Sequence, residues 1–236
     1  MRVSFNQPYF MPWGGVYARM MESDAMVLLD DTLLSNGFTY VNRNRIKGPD
    51  GEVWISVPLR RKGRGRQRIR NLEIDGKAAW AGDFLETLRH FYGKSLYFDV
   101  VFDEFHSILS DPDDDFIRMT LDLLHFQRDM LSIDAPLYLQ SKLGIESHGI
   151  DLLLDLAREL DADEVVLPYF ARKSVEWELF LDEEISVRFL RFDPLPHPQF
   201  WGTFIKRLST LDLLLCCGPA GRAVIERGIC IYEFEP

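Results

Sequence analysis

Apolar residues along this chain keep two rhythms. Short runs at residues 3–5, 26–29, 164–167, 187–192 and 230–234 are too brief for helices and rich in Val, Ile, Leu and Phe, which predicts strands. Over residues 16–22, 78–91, 116–131, 150–160, 175–181, 200–217 and 220–228, apolar positions suit helices instead. Strand, helix and strand over residues 3–29 form a βαβ unit, whose crossover leaves both strand ends on one side of a parallel sheet. The alternation returns after residue 149. The chain therefore reads as α/β: a Rossmann-like parallel or mixed sheet with a helical insertion in its middle third, residues 76–148. We expect one intertwined unit, made of a basic βαβ and hairpin segment (1–75), the insertion, and a second α/β half (149–236).

Local chemistry refines the joints. Residues 32–42 read as a loop with Gly37 as a turn residue, and Lys47-Gly48-Pro49-Asp50-Gly51 as the turn of a hairpin over 42–59. Residues 60–68, glycine-bearing and crowded with like charges, read as mobile and lead into an edge strand at 69–74. Asp111-Pro112-Asp113-Asp114-Asp115 suits the cap of the helix that follows.

With 47% hydrophobic and 13% aromatic residues, 236 residues can bury a large core. No apolar run reaches the ~18 residues of a membrane span, and no signal-peptide succession opens the chain, so a cytoplasmic location is expected. Cys216, Cys217 and Cys230 read as small apolar side chains, and the five histidines show no metal-ligand spacing. The net charge of −10 argues against general nucleic-acid binding. Its distribution says more. Residues 41–70 hold ten basic side chains against Asp50 and Glu52, so this edge is expected to meet a small anionic molecule. RNA contact through residues 60–70 is the weaker alternative.

Candidate chemistry gathers at the ends of the first two strands, where open α/β sheets bind ligands. Gln7 can donate and accept, with Tyr9, Phe10 and Trp13 as a stacking wall, and Gly14-Gly15 can admit a phosphate to a helix start. Asp30 and Asp31 suit ribose hydroxyls or Mg²⁺, the one cofactor that the residues suggest. Asn42, Arg43, Asn44 and Arg45 offer amides and guanidinium forks for phosphate or carboxylate. His197, in the extended Pro194-Leu195-Pro196-His197-Pro198-Gln199 loop, is a candidate general base. Ser209 and Asp212 read as an N-capping pair.

The order Gln7-Pro8-Tyr9-Phe10-Met11-Pro12-Trp13-Gly14-Gly15, then a strand ending in Asp30-Asp31, then Asn42-Arg43-Asn44-Arg45-Ile46, then Trp54 and Val57-Pro58, resembles the WbqC-like family. Similar segments recur at residues 80–97, at Pro198-Gln199 and at residues 208–214. One segment departs. Where the family has a small-residue Leu-Ser-Gly-x-Gly-like loop, this chain has Leu167-Pro168-Tyr169-Phe170-Ala171-Arg172-Lys173-Ser174, and ligand contacts of that loop do not carry over. The resemblance implies O-antigen or other surface-polysaccharide biosynthesis. Group transfer from an activated anionic substrate, such as a nucleotide-linked sugar, is the resulting expectation. Asp30 and His197 are its catalytic candidates; Gln7, Tyr9, Trp13, Asp31, Asn42, Arg43, Asn44, Arg45 and Gln199 would bind substrate. The competing expectation is a non-catalytic binding or scaffold protein of the same pathway. Neither fixes an oligomeric state.

Overall fold

Residues 3–5, 26–28 and 165–167 are buried without alternation because both faces of the strands they form are covered. The computed structural model describes residues 1–37 and 39–234, so Phe38 in the expected 32–42 loop lies outside the described residues. Its six-stranded sheet contains β1 (Arg2–Asn6), β2 (Ala25–Leu28), β5 (Leu137–Leu139), β6 (Glu164–Pro168), β7 (Ser186–Phe192) and β8 (Ile229–Phe234), in the order β5-β2-β1-β6-β7-β8. All neighbours are parallel except β7 and β8, which pair antiparallel with Phe189 opposite Tyr232. The fold is α/β with a mixed, mostly parallel sheet, and a Rossmann-like reading fits it. The central seam joins Val3 to Val165.

Because successive strand residues face opposite ways, the sheet feeds two cores. Met26, Leu28, Val166, Leu190 and Phe192 face α1 (Gly14–Met21), the end of α4 (Phe116–Met130), α8 (Thr210–Cys217) and α9 (Gly221–Glu226). Val3, Phe5, Val27, Val165, Leu167, Val187 and Phe189 face α6 (Gly149–Glu159) and α7 (Glu178–Leu181). A third core joins the antiparallel hairpin of β3 (Arg43–Gly48) and β4 (Gly51–Ser56) to α2 (Lys77–Tyr92), α3 (Phe98–Ser110) and α4. Phe10 of the loop after β1 enters that core edge-on to Trp80 and Phe84, with ring centroids at 5.8 and 6.2 Å. The expected cap of α4 is present: the Asp115 carboxylate accepts from Ile117 N at 2.8 Å and Arg118 N at 3.1 Å.

Several expectations are corrected. Residues 60–68 are tied down by ion pairs: Arg60 reaches Asp114 at 2.6 Å and Glu73 at 3.1 Å, Arg64 reaches Glu73 at 2.7 Å, and Arg68 reaches Asp31 at 2.7 Å. No edge strand follows. Ile69–Asn71 forms a 3-10 turn, and only isolated bridges join Leu33 to Arg68, Leu59 to Ile74 and Glu73 to Asp115. The helix expected over 200–217 starts only at Thr210, because Trp201, Gly202 and Arg207 take left-handed backbone angles that a right-handed helix excludes. The helix expected over 175–181 shrinks to α7. Three elements were not anticipated: α3 within the insertion, and the three-residue β5 and α5 (Gln140–Leu143) that lead out of it.

Candidate functional site

The connection after β1 crosses one face of the sheet through α1, and the connection after β6 crosses the other face through α7. Right-handed crossovers running in opposite directions require this, and they open a crevice at the carboxyl ends of β1 and β6. A cavity of about 430 Å³ occupies that crevice, within the range of small-molecule sites. Asn6, Tyr9, Trp13 and Arg19 border it from the β1–α1 side, Pro168, Tyr169 and Phe170 from the end of β6, and Leu190, Arg191 and Phe192 from β7. Tyr40, Arg45 and Arg207 complete the rim.

Among the described residues, four arginines line this cavity and no carboxylate does, on a protein whose net charge is −10. Arg19 decides its character. It is 4% exposed, and its guanidinium donates to Gly15 O and to Asn6 Oδ1, both neutral acceptors. Its Nε is buried without a partner, as is Nε of Arg45. Burial lowers the Arg19 pKa to about 10, because the charged form gives up water and gains no counter-ion. A buried cation without a carboxylate costs free energy that an incoming anion relieves. Burial raises the pKa of the nearby Tyr9 phenol while Arg19 pulls it down; the net direction is up, so Tyr9 keeps its proton and can donate.

The aromatic-proline loop after β1 is held in place from both ends of the chain. Met11 has φ of 45°, a left-handed conformation uncommon for its type, and its carbonyl accepts from Asn44 Nδ2 at 2.6 Å and Ser209 Oγ at 2.7 Å. The next turn needs small residues: a Cβ on Gly15 would lie 2.5 Å from the Trp13 ring, and one on Gly14 would lie 2.8 Å from Phe192. Trp13 and Phe192 pack at 5.5 Å, and Arg207 lies 6.0 Å from the Trp13 centroid. Tyr9, Tyr40 and Trp54 continue the rings along the rim, with centroids 6.2 and 6.1 Å apart, and Arg45 sits over Trp54 at 5.4 Å.

Behind Trp13 lies a second cavity of about 30 Å³, the size of one water, lined by His197, Gln199, Thr210 and Asp212 among others. His197 Nε2 and Thr210 Oγ1 are buried there without partners, and burial lowers the His197 pKa. The Asp212 carboxylate accepts from Tyr92 OH at 2.7 Å and Gln199 Nε2 at 2.8 Å, and burial pushes its pKa up to about 6. Gln199 Oε1 in turn accepts from Ile205 N at 2.9 Å and from buried Lys47 at 3.2 Å. This network shapes residues 199–209, and hence the position of Arg207.

Of the residues singled out in the sequence, Tyr9, Trp13 and Arg45 line the large cavity, while His197 and Gln199 line the small one. Gln7 donates to Thr32 Oγ1 at 3.0 Å, Asn42 to Val57 O at 2.8 Å, and Arg43 to Thr39 O at 3.1 Å. Asp30 is 1% exposed and accepts from Ser141 N at 2.9 Å and Ser141 Oγ at 2.6 Å, at the start of α5. Asp31 pairs with Arg68 and Arg70. Ser209 caps α8 as expected, but Asp212 does not return to it; its carboxylate serves Tyr92 and Gln199. Arg19, Tyr40, Phe170, Arg191 and Arg207 were missed. Arg19 had a legible signal, since it is the one charged residue of an otherwise apolar helix.

The sequence model of the WbqC-like protein family matches residues 7–224, from the first residue of the aromatic-proline loop into α9. The chain belongs to the WbqC-like family. It is similar to the uncharacterized protein Rv1507c of Mycobacterium tuberculosis, with 29% identity over 221 residues, spanning 92% of this chain and 94% of that protein. No solved structure matches. The family match takes in both walls of the large cavity, from Tyr9 and Arg19 to Phe170 and Arg207. Among the described residues no helix is long and apolar enough to cross a membrane, and no cluster of His, Cys, Asp or Glu suits a metal ion.

Proposed function

We propose that this WbqC-like protein binds an activated anionic substrate, such as a nucleotide-linked sugar, and transfers its activated group in surface-polysaccharide or related small-molecule biosynthesis. The observation that carries the reading is the buried Arg19 guanidinium, bordering a cavity that is lined, among the described residues, by four arginines and no carboxylate. Guanidinium forks match phosphate oxygens in pairs. In a crevice of low dielectric, they also stabilise charge that develops on a departing phosphate. Tyr9, protonated, adds a neutral donor. Together these groups favour the leaving-group side of a transfer.

A second reading has its own support. Among the described residues the large cavity is lined by no carboxylate, histidine or cysteine, the usual bases and nucleophiles, which favours a non-catalytic binding protein of the same pathway. Thermal-shift measurements with inorganic pyrophosphate, nucleoside diphosphates and nucleotide-sugars, each with Mg²⁺ or EDTA, test both. Binding is expected for the wild type and lost in Arg19→Met. The cavity presents cationic donors to the phosphates, so affinity is expected to persist in EDTA. Equal shifts in wild type and Arg19→Met would remove the anion site. Product release from a bound donor in the presence of an amine or hydroxyl acceptor separates enzyme from binding protein.

A further inference from the structure

The loop after β6 carries Phe170, 74% exposed at the edge of the large cavity. Its neighbours are fixed. Tyr169 packs on Tyr232 of β8 at 4.7 Å, Ala171 is buried, and the Arg172 guanidinium lies 4.9 Å from the Phe234 ring. The Tyr169–Lys173 turn is thus anchored to the edge strand on both sides of Phe170, which leaves the Phe170 ring exposed at the cavity edge beside Tyr169. Tyr9, Trp13 and Tyr40 border the same space from the side of α1 and the hairpin. Because the segments after β1 and β6 cross opposite faces of the sheet, aromatic faces meet the cavity from two directions.

The lining is also one-sided in its hydrogen bonding. Arginines supply donors in excess, while the one side-chain amide, Asn6, already accepts from Arg19 through Oδ1 and donates to Gln7 O through Nδ2. For the hydroxyls of a buried sugar ring the lining side chains offer few acceptors beyond the phenol oxygens of Tyr9, Tyr40 and Tyr169, and each hydroxyl left unpaired costs as much as a lost hydrogen bond. Phosphates, which only accept, and a planar base, which offers a π-face, suit the same lining.

Resting on the anion site proposed above, we infer that the cavity holds the nucleotide half of the substrate. Its base stacks on Phe170, its phosphates meet Arg19 and the rim arginines, and the group to be transferred projects from the mouth. Phe170 is then a specificity-determining residue, and its loop adds a base contact.

Calorimetric titration of the intact protein with inorganic pyrophosphate, uridine diphosphate and uridine diphosphate glucose tests this. Wild type is expected to bind uridine diphosphate about tenfold more tightly than pyrophosphate, the increment of one stacked base. Phe170→Ala is expected to bind pyrophosphate unchanged and to lose that increment, whereas Phe170→Tyr keeps it. Adding glucose to the diphosphate is expected to change affinity less than threefold. If wild type binds pyrophosphate and uridine diphosphate alike, or if Phe170→Ala keeps the increment, the base-stacking inference is overturned and the anion site stands. Should uridine diphosphate glucose exceed uridine diphosphate by tenfold or more, the sugar sits inside and the proposed orientation is overturned. Failure of all three ligands to bind wild type would overturn the anion site itself.

Discussion

Asn44 on β3 donates its side-chain amide to the carbonyl oxygen of Met11 at 2.6 Å, and through this bond the hairpin holds the loop that carries Tyr9 and Trp13. Ser209 Oγ reaches the same oxygen from the start of α8. A side chain as large as Met11 in the left-handed region costs about 1–3 kcal/mol and persists only where its surroundings fix it. These two donors supply that constraint.

Asn44→Ala is therefore expected to destabilise the protein by about 1–3 kcal/mol, since it removes a buried amide and leaves two carbonyls short of a donor. Ser209→Ala should cost about 1 kcal/mol through its lost cap. The two bonds share one acceptor, so the double variant should depart from additivity. Urea unfolding of all four proteins measures this, and strict additivity would mean that the two contacts act independently.

Asp30 gives a sharper contrast. Its two bonds to Ser141 fix the β2 end to α5, away from the large cavity, so Asp30→Asn should lower stability by about 1–3 kcal/mol and leave ligand affinity unchanged. Arg45→Ala should lower ligand affinity, with a stability loss of at most about 1 kcal/mol from its half-exposed ion pair with Glu52 at 2.6 Å and its bond to Arg207 O at 3.0 Å. A variant of Asp30 that folds as stably as wild type yet fails to bind would return this carboxylate to the site.

Ionic strength separates the deep arginine from those of the rim. Arg191 and Arg207 are exposed and Arg19 is buried, so raising salt should weaken anion binding chiefly through the rim. The double variant Arg191→Gln with Arg207→Gln is expected to flatten the salt dependence. Arg19→Met should lower affinity at every salt concentration while preserving the slope. Identical slopes in all three proteins would show that the rim guanidiniums do not meet the anion.

Asp212 predicts a pH dependence of stability. Its folded pKa is raised to about 6 from the ordinary 3.8 by burial, so between these values the folded state holds a proton that the unfolded state releases. The stabilisation belonging to this group is complete below about pH 4 and is lost as pH rises through about 6. Asp212→Asn cannot ionise. The melting temperature of the variant relative to wild type should rise across that window, by an increment on the order of 2 kcal/mol in stability. A difference that does not vary between pH 4 and 8 would contradict it.

What the sequence revealed follows from range. The βαβ unit, the hairpin and the cap at Asp115 rest on partners close in sequence, the farthest being strand neighbours such as Val3 and Ala25, and the sequence shows each of them. Residues 60–68 looked mobile because like charges crowd locally; their partners Glu73 and Asp114 lie up to 54 residues away from Arg60. Asp30 looked like a ligand because it ends a strand, and nothing nearby in sequence announces Ser141. Arg45 and Tyr9 were legible as site residues from their motifs. Arg191, Arg207 and Phe170 belong to segments without a motif, and only the pairing of β1 with β6 brings them to the same space.

That pairing has a kinetic meaning. Val3 meets Val165 across the seam that opens the crevice, so the site exists only after about two thirds of the chain has been gathered between its first two walls. Contacts of such long sequence separation are slow to close, and a site built on them has no partial form in the unfolded chain. A ligand held there stabilises an arrangement that is assembled late. It should lengthen the lifetime of the native state by slowing unfolding, while the rate of refolding stays as it is without ligand.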